Sequence, residues 1–278
     1  MRGKMGQKIN STLYRLKVYK NWEASYATSN STEMAYHVIQ DLQIKKFVRR
    51  FLNKCNLILH TLKLRKCNGQ VEVLIQYCVN VTLLKDNDFH QKPVFSRKVD
   101  YHVPDLSLNL TESLLQHVSM NPTLKVVMQC ISRLPSNIYN TPAHFLFFNS
   151  MLYSWRRHFK NPGFNYFVNS LLTVATKKDS ARFLSRIIAG QLAETKRHNS
   201  LLNFWQKSFL SLVNSPFCEI KGLKLQVKGR INGRPRAKSI KVAIGGVPTL
   251  TLSSNIDCGK HTCFTQNGTI GVCVWIFV

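Results

Sequence analysis

Apolar and polar residues alternate along the last quarter of the chain. Leu223, Leu225 and Val227 are separated by Lys224, Gln226 and Lys228, which predicts a strand with one buried face and one basic, solvated face. Asn232-Gly233 follows. It favours a tight reversal, because both central positions of such a turn take positive φ. A second strand is predicted from Ser239, with Ile240, Val242 and Ile244 in alternation. Gly245-Gly246 and Pro248 punctuate it, and Leu250 and Leu252 resume the pattern. After Asn267-Gly268, Ile270, Val272, Val274, Ile276 and Val278 share one face. Cys273, Trp275 and Phe277 on the other are apolar as well, so an inner strand covered on both faces is expected.

Upstream the period changes. Leu42, Ile44, Phe47, Val48, Phe51 and Leu52 are spaced largely at three and four within Asp41 to Asn53, with Lys45, Lys46, Arg49 and Arg50 between them, which predicts an amphipathic basic helix. Asn56 to Arg65 and Gln70 to Val81 read as two strands around a Cys67-Asn68-Gly69 turn. From Ser180 to Asn214 two apolar stripes, Phe183, Leu184, Ile187, Ile188, Leu192 and then Leu201, Leu202, Trp205, Phe209, Leu212, predict two helices or one bent helix. Between Leu84 and about Lys178 lies a stretch rich in Asn, Ser, Phe and His, in which Gly163 is the one glycine and prolines stand at 93, 104, 122, 135, 142 and 162. Within it, Met151 to Lys160 interleaves aromatics with Arg156, Arg157, His158 and Lys160. Base stacking or a helix burying Leu152, Trp155 and Phe159 would each explain that pattern.

Charge narrows the function classes. The 278 residues carry 39 Lys and Arg against 13 Asp and Glu, a formal net charge of +26, and such an excess calls for an anionic partner. Nucleic acid fits. A membrane surface fits less well, since no run of about 18 apolar residues exists and insertion is not expected. The eight cysteines are scattered without a C-x-x-C pair, which argues against a zinc ribbon or a disulfide framework and for reduced, buried thiols. Cys258, His261, Cys263 and Cys273 form a conceivable metal set, with a spacing that fits no common zinc site. The N-terminus shows no apolar signal segment, so no cleavable targeting peptide is expected.

Catalysis finds little support. Asp86 and Asp88 lie close together in a polar stretch where a turn explains them, and Asp257 sits where a strand end is predicted and capping of the following loop suffices. No phosphate-binding G-x-x-x-x-G-K-[ST] loop occurs. No catalytic residue, cofactor or metal is assigned, and the chain is not expected to be an enzyme.

An ordered set of residues carries a resemblance. Gly229, Arg230, Gly233 and Ala237, then Val247-Pro248, then Ile256-Asp257, then Gly268, Ile270, Gly271, Val272, Val274, Trp275, Ile276 and Phe277 resemble the C-terminal domain of the small-subunit ribosomal protein S-three family of bacterial and organellar type. The N-terminal Gly6-Gln7-Lys8-Ile9-Asn10, Arg15-Leu16 and Trp22 resemble the same family, with Ser11 and Lys17 standing in the places of its usual proline and of the glycine after R-L. In that family the first helix and two strands open a KH domain. The G-x-x-G loop with which such a domain clamps RNA is absent, so either an insertion has replaced its second half or that half has diverged. A segment resembling the family's Q-L-E-R-R lies at Gln191 to His198.

The expected fold is therefore α+β in three parts. Residues 1–83 form a basic arm and the first half of a KH-like (type II) α/β domain, 84–179 a divergent or inserted segment, and 180–278 a C-terminal α+β domain whose mixed or antiparallel sheet packs on helices. The resemblance implies a structural constituent of the small ribosomal subunit that binds rRNA in the head and lines the mRNA entry channel beside ribosomal proteins S-ten and S-fourteen. The residues expected to bind rRNA are Lys4, Lys8, Arg15, Lys17, Lys228, Arg230, Arg234, Arg236, Lys238 and Lys241; those at the mRNA entry are Lys196 and Arg197. The divergence suggests a mitochondrial ribosome in the matrix, with a plastid or a bacterial cytoplasm as the alternative. The competing readings are an intron endonuclease or maturase-like nucleic-acid enzyme, and a free-standing RNA chaperone.

Overall fold

The computed structural model describes residues 9–26, 28, 30–55, 57–67, 70–79, 103–117, 123–131, 170–171, 174–175, 180–195, 197–215, 218–233 and 239–278. The chain is α+β and divides into two compact units. Trp22–Ser136 forms one, and Met1–Asn21 joins Asn137–Val278 in the other.

In the first unit β1 (Ala24–Ser25), α1 (Ser31–Lys54), β2 (Leu57–Cys67), β3 (Gln70–Val79), α2 (Val103–His117) and β4 (Thr123–Cys130) follow in that order. The sheet runs β1-β2-β3-β4, with β2 and β3 antiparallel and the two outer pairings parallel. The expected helix begins ten residues earlier than its apolar stripe, at Ser31. Its core face is Ile44, Val48 and Leu52, all at most 2% exposed, because four-residue spacing returns to one side of a helix. Leu42 falls off that stripe and is exposed, contrary to expectation. Alternate residues Val71, Val73, Ile75 and Tyr77 of β3 meet the helix with Leu57, Leu59, Leu62 and Leu64 of β2. Leu110 and Leu114 of α2 complete the same core. Thus α2 and β4, inside the stretch that offered no clear pattern, continue the sheet and core begun by β2 and β3.

The second unit contains α3 (Ala181–Glu194), α4 (His198–Val213), β5 (Gly222–Gly229), β6 (Ser239–Gly245), β7 (Ile256–Thr265) and β8 (Gly268–Phe277). The stripes between Ser180 and Asn214 are thus two helices. The sheet is antiparallel throughout in the order β6-β5-β8-β7. Its inner face is Leu223, Leu225, Val227, Ile270, Val272, Val274 and Ile276, none more than 1% exposed. Helix α3 packs on β7 and β8, and α4 on β5 and β6, with Phe183, Leu184, Ile188, Trp205 and Phe209 buried in the interface. Asn232 and Gly233 take φ of 52° and 73°, the reversal that the dipeptide favours.

Two expectations change here. Strand β8 is an inner strand of the sheet, but its second face is open: Cys273, Trp275 and Phe277 are only half-buried, since both helices pack on the other side. Leu250 and Leu252 belong to no strand and are exposed. They lie on the 246–255 loop, which is held instead by the N-terminal arm. Arg15 is 1% exposed. Its Nε donates to the Ser254 carbonyl at 2.6 Å, Nη1 to the Ser11 carbonyl at 2.8 Å, and Nη2 to the Thr251 carbonyl at 2.6 Å, the Thr249 carbonyl at 3.3 Å and the Ser254 hydroxyl at 3.1 Å. A guanidinium has five donors in a rigid fork, and here each of its three nitrogens is engaged. The Tyr19 hydroxyl also donates to the Ser253 carbonyl.

Candidate nucleic-acid interface

The antiparallel register fixes which side chains share the open face of the C-terminal sheet. Lys241, Gln226, Cys273 and Lys260 are partners in one row across β6, β5, β8 and β7. Ala243, Lys224, Trp275 and Cys258 form the next row, and Ser239, Lys228, Gly271 and Thr262 the row on the other side. Directly opposed residues point to the same side of a sheet. Lys224, Lys228, Lys241 and Lys260 therefore stand on one face, and no acidic residue occupies any position on that face in these four strands.

The lysines are not isolated from the aromatics. Lys224 Nζ lies 5.5 Å from the centroid of the Trp275 ring, and Lys221 Nζ lies 5.5 Å from that of Phe277, within the range of a cation–π contact. Phe264, near the end of β7 on the same face, is 76% exposed. The sole acid of the four strands, Asp257, points to the helix side. It is buried, accepts from the Ala181 backbone N–H at 2.8 Å and pairs with Lys20 at 3.3 Å. A carboxylate at the amino end of α3 satisfies an orphan donor and complements the positive end of the helix dipole, so Asp257, near the start of β7, caps a distant helix rather than the loop after its own position.

Of the residues expected to meet RNA, Lys228 and Lys241 lie on this face, and Arg230 is exposed just beyond β5. The Asn232 side chain accepts from the His198 backbone N–H at 2.9 Å and donates to Asn199 Oδ1 at 2.6 Å. That contact brings the end of β5, with Arg230, to the start of α4, where Arg197 is exposed. Lys17 is exposed on the arm and holds φ of 69°. Arg15 is a correction. It is buried, and its guanidinium is turned onto carbonyls and the Ser254 hydroxyl of its own chain rather than outward to a phosphate. Lys4, Lys8, Lys196, Arg234, Arg236 and Lys238 lie outside the described residues, as does the Met151 to Lys160 stretch. Sequence reasoning missed Lys221, Lys224 and Lys260. Lys224 was legible in the β5 alternation, whereas Lys260 joins the face only through the register of β7 on β8.

Metal chemistry has no footing among the described residues, where no three His, Cys, Asp or Glu side chains cluster. Cys258 and Cys273 pair into rows of the open face while His261 and Cys263 point to the helix side, so the four conceivable ligands are split by the sheet. Burial pushes the Cys258 and Cys263 thiols up, and in the first unit it pushes Cys78 up to about 12, with Cys130 adding to the shift. Such thiols stay protonated and unreactive. No helix among the described residues is long and apolar enough to cross a membrane.

Residues 206–276 match the family described as ribosomal protein S3, C-terminal domain. Small ribosomal subunit protein uS3c of Euglena longa is 23% identical over 272 residues, covering 98% of this chain and 99% of that protein. Small ribosomal subunit protein uS3 of Borrelia duttonii is 37% identical over 97 residues, 35% of this chain, and the match spans only 33% of that relative. That of Synechocystis sp. is 46% identical over 59 residues, 21% of this chain and 25% of the relative. The matched segment takes in the second half of α4 and the four-stranded sheet that displays the lysine face, and over it the chain is similar to the C-terminal domain of ribosomal protein S3.

Proposed function

We propose that the chain is a structural, non-catalytic protein of the small ribosomal subunit, and that it binds rRNA through the open face of its C-terminal sheet. The observation that carries this reading is the four-lysine face without an acid. A phosphate backbone neutralises such a surface and releases its counterions on doing so. Lys228, Lys241 and Arg230 are the rRNA contacts kept from the sequence, and Lys224 and Lys260 join them. Lys17 is a further contact from the arm, and Lys4, Lys8, Arg234, Arg236 and Lys238 remain assigned on sequence alone.

Arg197 is the mRNA-entry residue in this proposal, with Lys196 beside it in sequence. A cation at the start of a helix opposes the dipole, so α4 does not itself explain this exposed arginine, whereas an RNA strand does. A KH-like reading of residues 22–136 is supported by the helix, two strands, helix, strand order and by the parallel pairing of β4 with β3. Without a G-x-x-G loop, its RNA contact is carried by the exposed Lys46, Arg49 and Arg50 of α1. Neighbouring head proteins such as S-ten and S-fourteen are the proposed protein partners. Exposed Tyr14, Val18, Leu250 and Leu252, on the arm and loop that Arg15 ties together, suit a protein neighbour better than RNA. The names of the relatives support an organellar or bacterial ribosome, and we place this one in the mitochondrion on the divergence of the chain.

The double variant Lys228→Glu, Arg230→Glu tests the rRNA face. Sedimentation with small subunits should fall at least tenfold while the circular dichroism spectrum is unchanged. Undiminished association would show the RNA face to be elsewhere.

A further inference from the structure

The open face of the C-terminal sheet carries aromatic rings as well as charge, and charge alone does not account for them. Trp275 occupies the middle row between Lys224 and Cys258, on the inner strand β8. It is half-buried, although every alternate residue of that strand is sealed beneath the helices. Burial therefore does not require an indole on this side: a small or polar residue there would leave the core untouched. Gly271 stands on the same face of the same strand, and a side chain built there would meet nothing nearer than 3.9 Å, so the ground on the Gly271 and Cys273 side of Trp275 is low and open, while Cys258 across from it on β7 is buried. Phe264 projects at the far end, exposed and on the same side.

We infer that this face binds an unpaired stretch of nucleic acid, with a base stacked on Trp275 and its flanking phosphates held by Lys224, Lys228, Lys241 and Lys260. The inference rests on the rRNA-binding reading above and names the class of RNA that the face takes. The spacing suits it. Neighbouring strands lie about 4.8 Å apart, which puts Lys241 and Lys260, the ends of one four-strand row, roughly 14 Å from each other. A chain of nucleotides laid across the strands would pass over Gln226 and Cys273 between them. A base needs a flat apolar ring with cations at its rim, and stacking on an aromatic side chain contributes about 1 to 3 kcal/mol per base. Lys224 covers the indole in the free protein. Its flexible stem lets the ammonium move to a phosphate as the base takes its place. A duplex presents no base face to the sheet, so it can use the lysines and not the ring.

Fluorescence anisotropy on the full chain tests this, with a labelled unpaired pyrimidine RNA of about 12 nucleotides, within the span of such sites, and a duplex RNA of equal length. The unpaired RNA should bind more tightly than the duplex. Trp275→Ala should weaken the unpaired RNA about tenfold and the duplex less than twofold, Trp275→Phe should restore most of the loss, and the dependence on salt should not change. Phe264→Ala, at a surface position that leaves folding intact, should weaken the unpaired RNA alone by a few-fold. Lys224→Gln and Lys260→Gln should each lower the slope of log affinity against log salt by about one for both RNAs. If the lysine variants act while the Trp275 and Phe264 variants leave the two RNAs equal, stacking is wrong and the electrostatic rRNA face stands. If none of the variants acts, both readings fall.

Discussion

At the scale of single residues, two positions of the N-terminal arm show how a local departure is held by its surroundings. Lys17 stands where the family resemblance places a glycine, and it adopts φ of 69°, the left-handed region that costs a side-chain-bearing residue about 1 to 2 kcal/mol. Its backbone N–H donates to the Lys20 carbonyl at 2.8 Å, which keeps the turn closed. Lys17→Gly should relieve that cost, offset in part by the greater freedom of glycine in the unfolded chain. A net gain of about 0.5 to 1 kcal/mol, read as a higher melting temperature of the C-terminal unit, is expected. Arg15 is the opposite case, a charge withdrawn from solvent and held by four carbonyls and the Ser254 hydroxyl. An ammonium cannot reproduce a five-donor fork, so Arg15→Lys should leave several of those oxygens unpaired. It should cost on the order of 3 kcal/mol and should open the 246–255 loop to proteolysis. A neutral effect on both readouts would mean that the arm is not what holds the loop.

At the scale of elements, the meeting of α3 with β7 depends on what is missing. A side chain at Gly259 would lie 2.2 Å from the Ala181 carbonyl oxygen and 2.6 Å from the Arg182 Cα, so the first turn of α3 rests directly on the strand. Asp257, two residues earlier, reaches the same turn and caps it. Gly259→Ala should push helix and strand apart and lower stability by about 1 to 3 kcal/mol, measurable by thermal unfolding of the purified chain; the same change at the open Gly190 of α3 should be neutral or stabilising. The tryptophans separate along the same lines. Trp205 of α4 is fully buried and Trp275 is not. The apolar run at the end of the chain implied a second covered face for β8, yet the helices cover only one, and a large loss of stability belongs to Trp205.

At the scale of the whole molecule, 39 basic residues against 13 acidic ones favour a polyanionic partner. Association with small-subunit RNA through about 6 to 10 phosphate contacts should lose roughly three to five decades of affinity between 50 and 200 mM salt. A filter-binding titration across that range checks it, and a flat profile would remove the electrostatic account. Both units contribute basic surface, from α1 in the first and from the open sheet face in the second.

The alternation of β5, the reversal at Asn232-Gly233, the stripes of α3 and α4 and the family resemblance were all legible in the sequence, because each is a local pattern that burial on one face imposes on neighbouring residues. The placement of α2 and β4 was not. Leu106, Leu110 and Leu114 of α2 do recur at four and most of β4 is apolar, but the parallel pairing of β4 with β3 is a long-range choice that no local period records. Nor could the sequence distinguish Arg15, engaged inside its own chain, from the exposed Lys228 and Arg230, since all three are simply basic residues in an excess of positive charge. Composition and period determined the class, the charge and the strands. The tertiary structure alone decided which basic residues face outward, because antiparallel register aligned Lys241, Lys224, Lys228 and Lys260 from three strands on the one side of the sheet that the helices leave open.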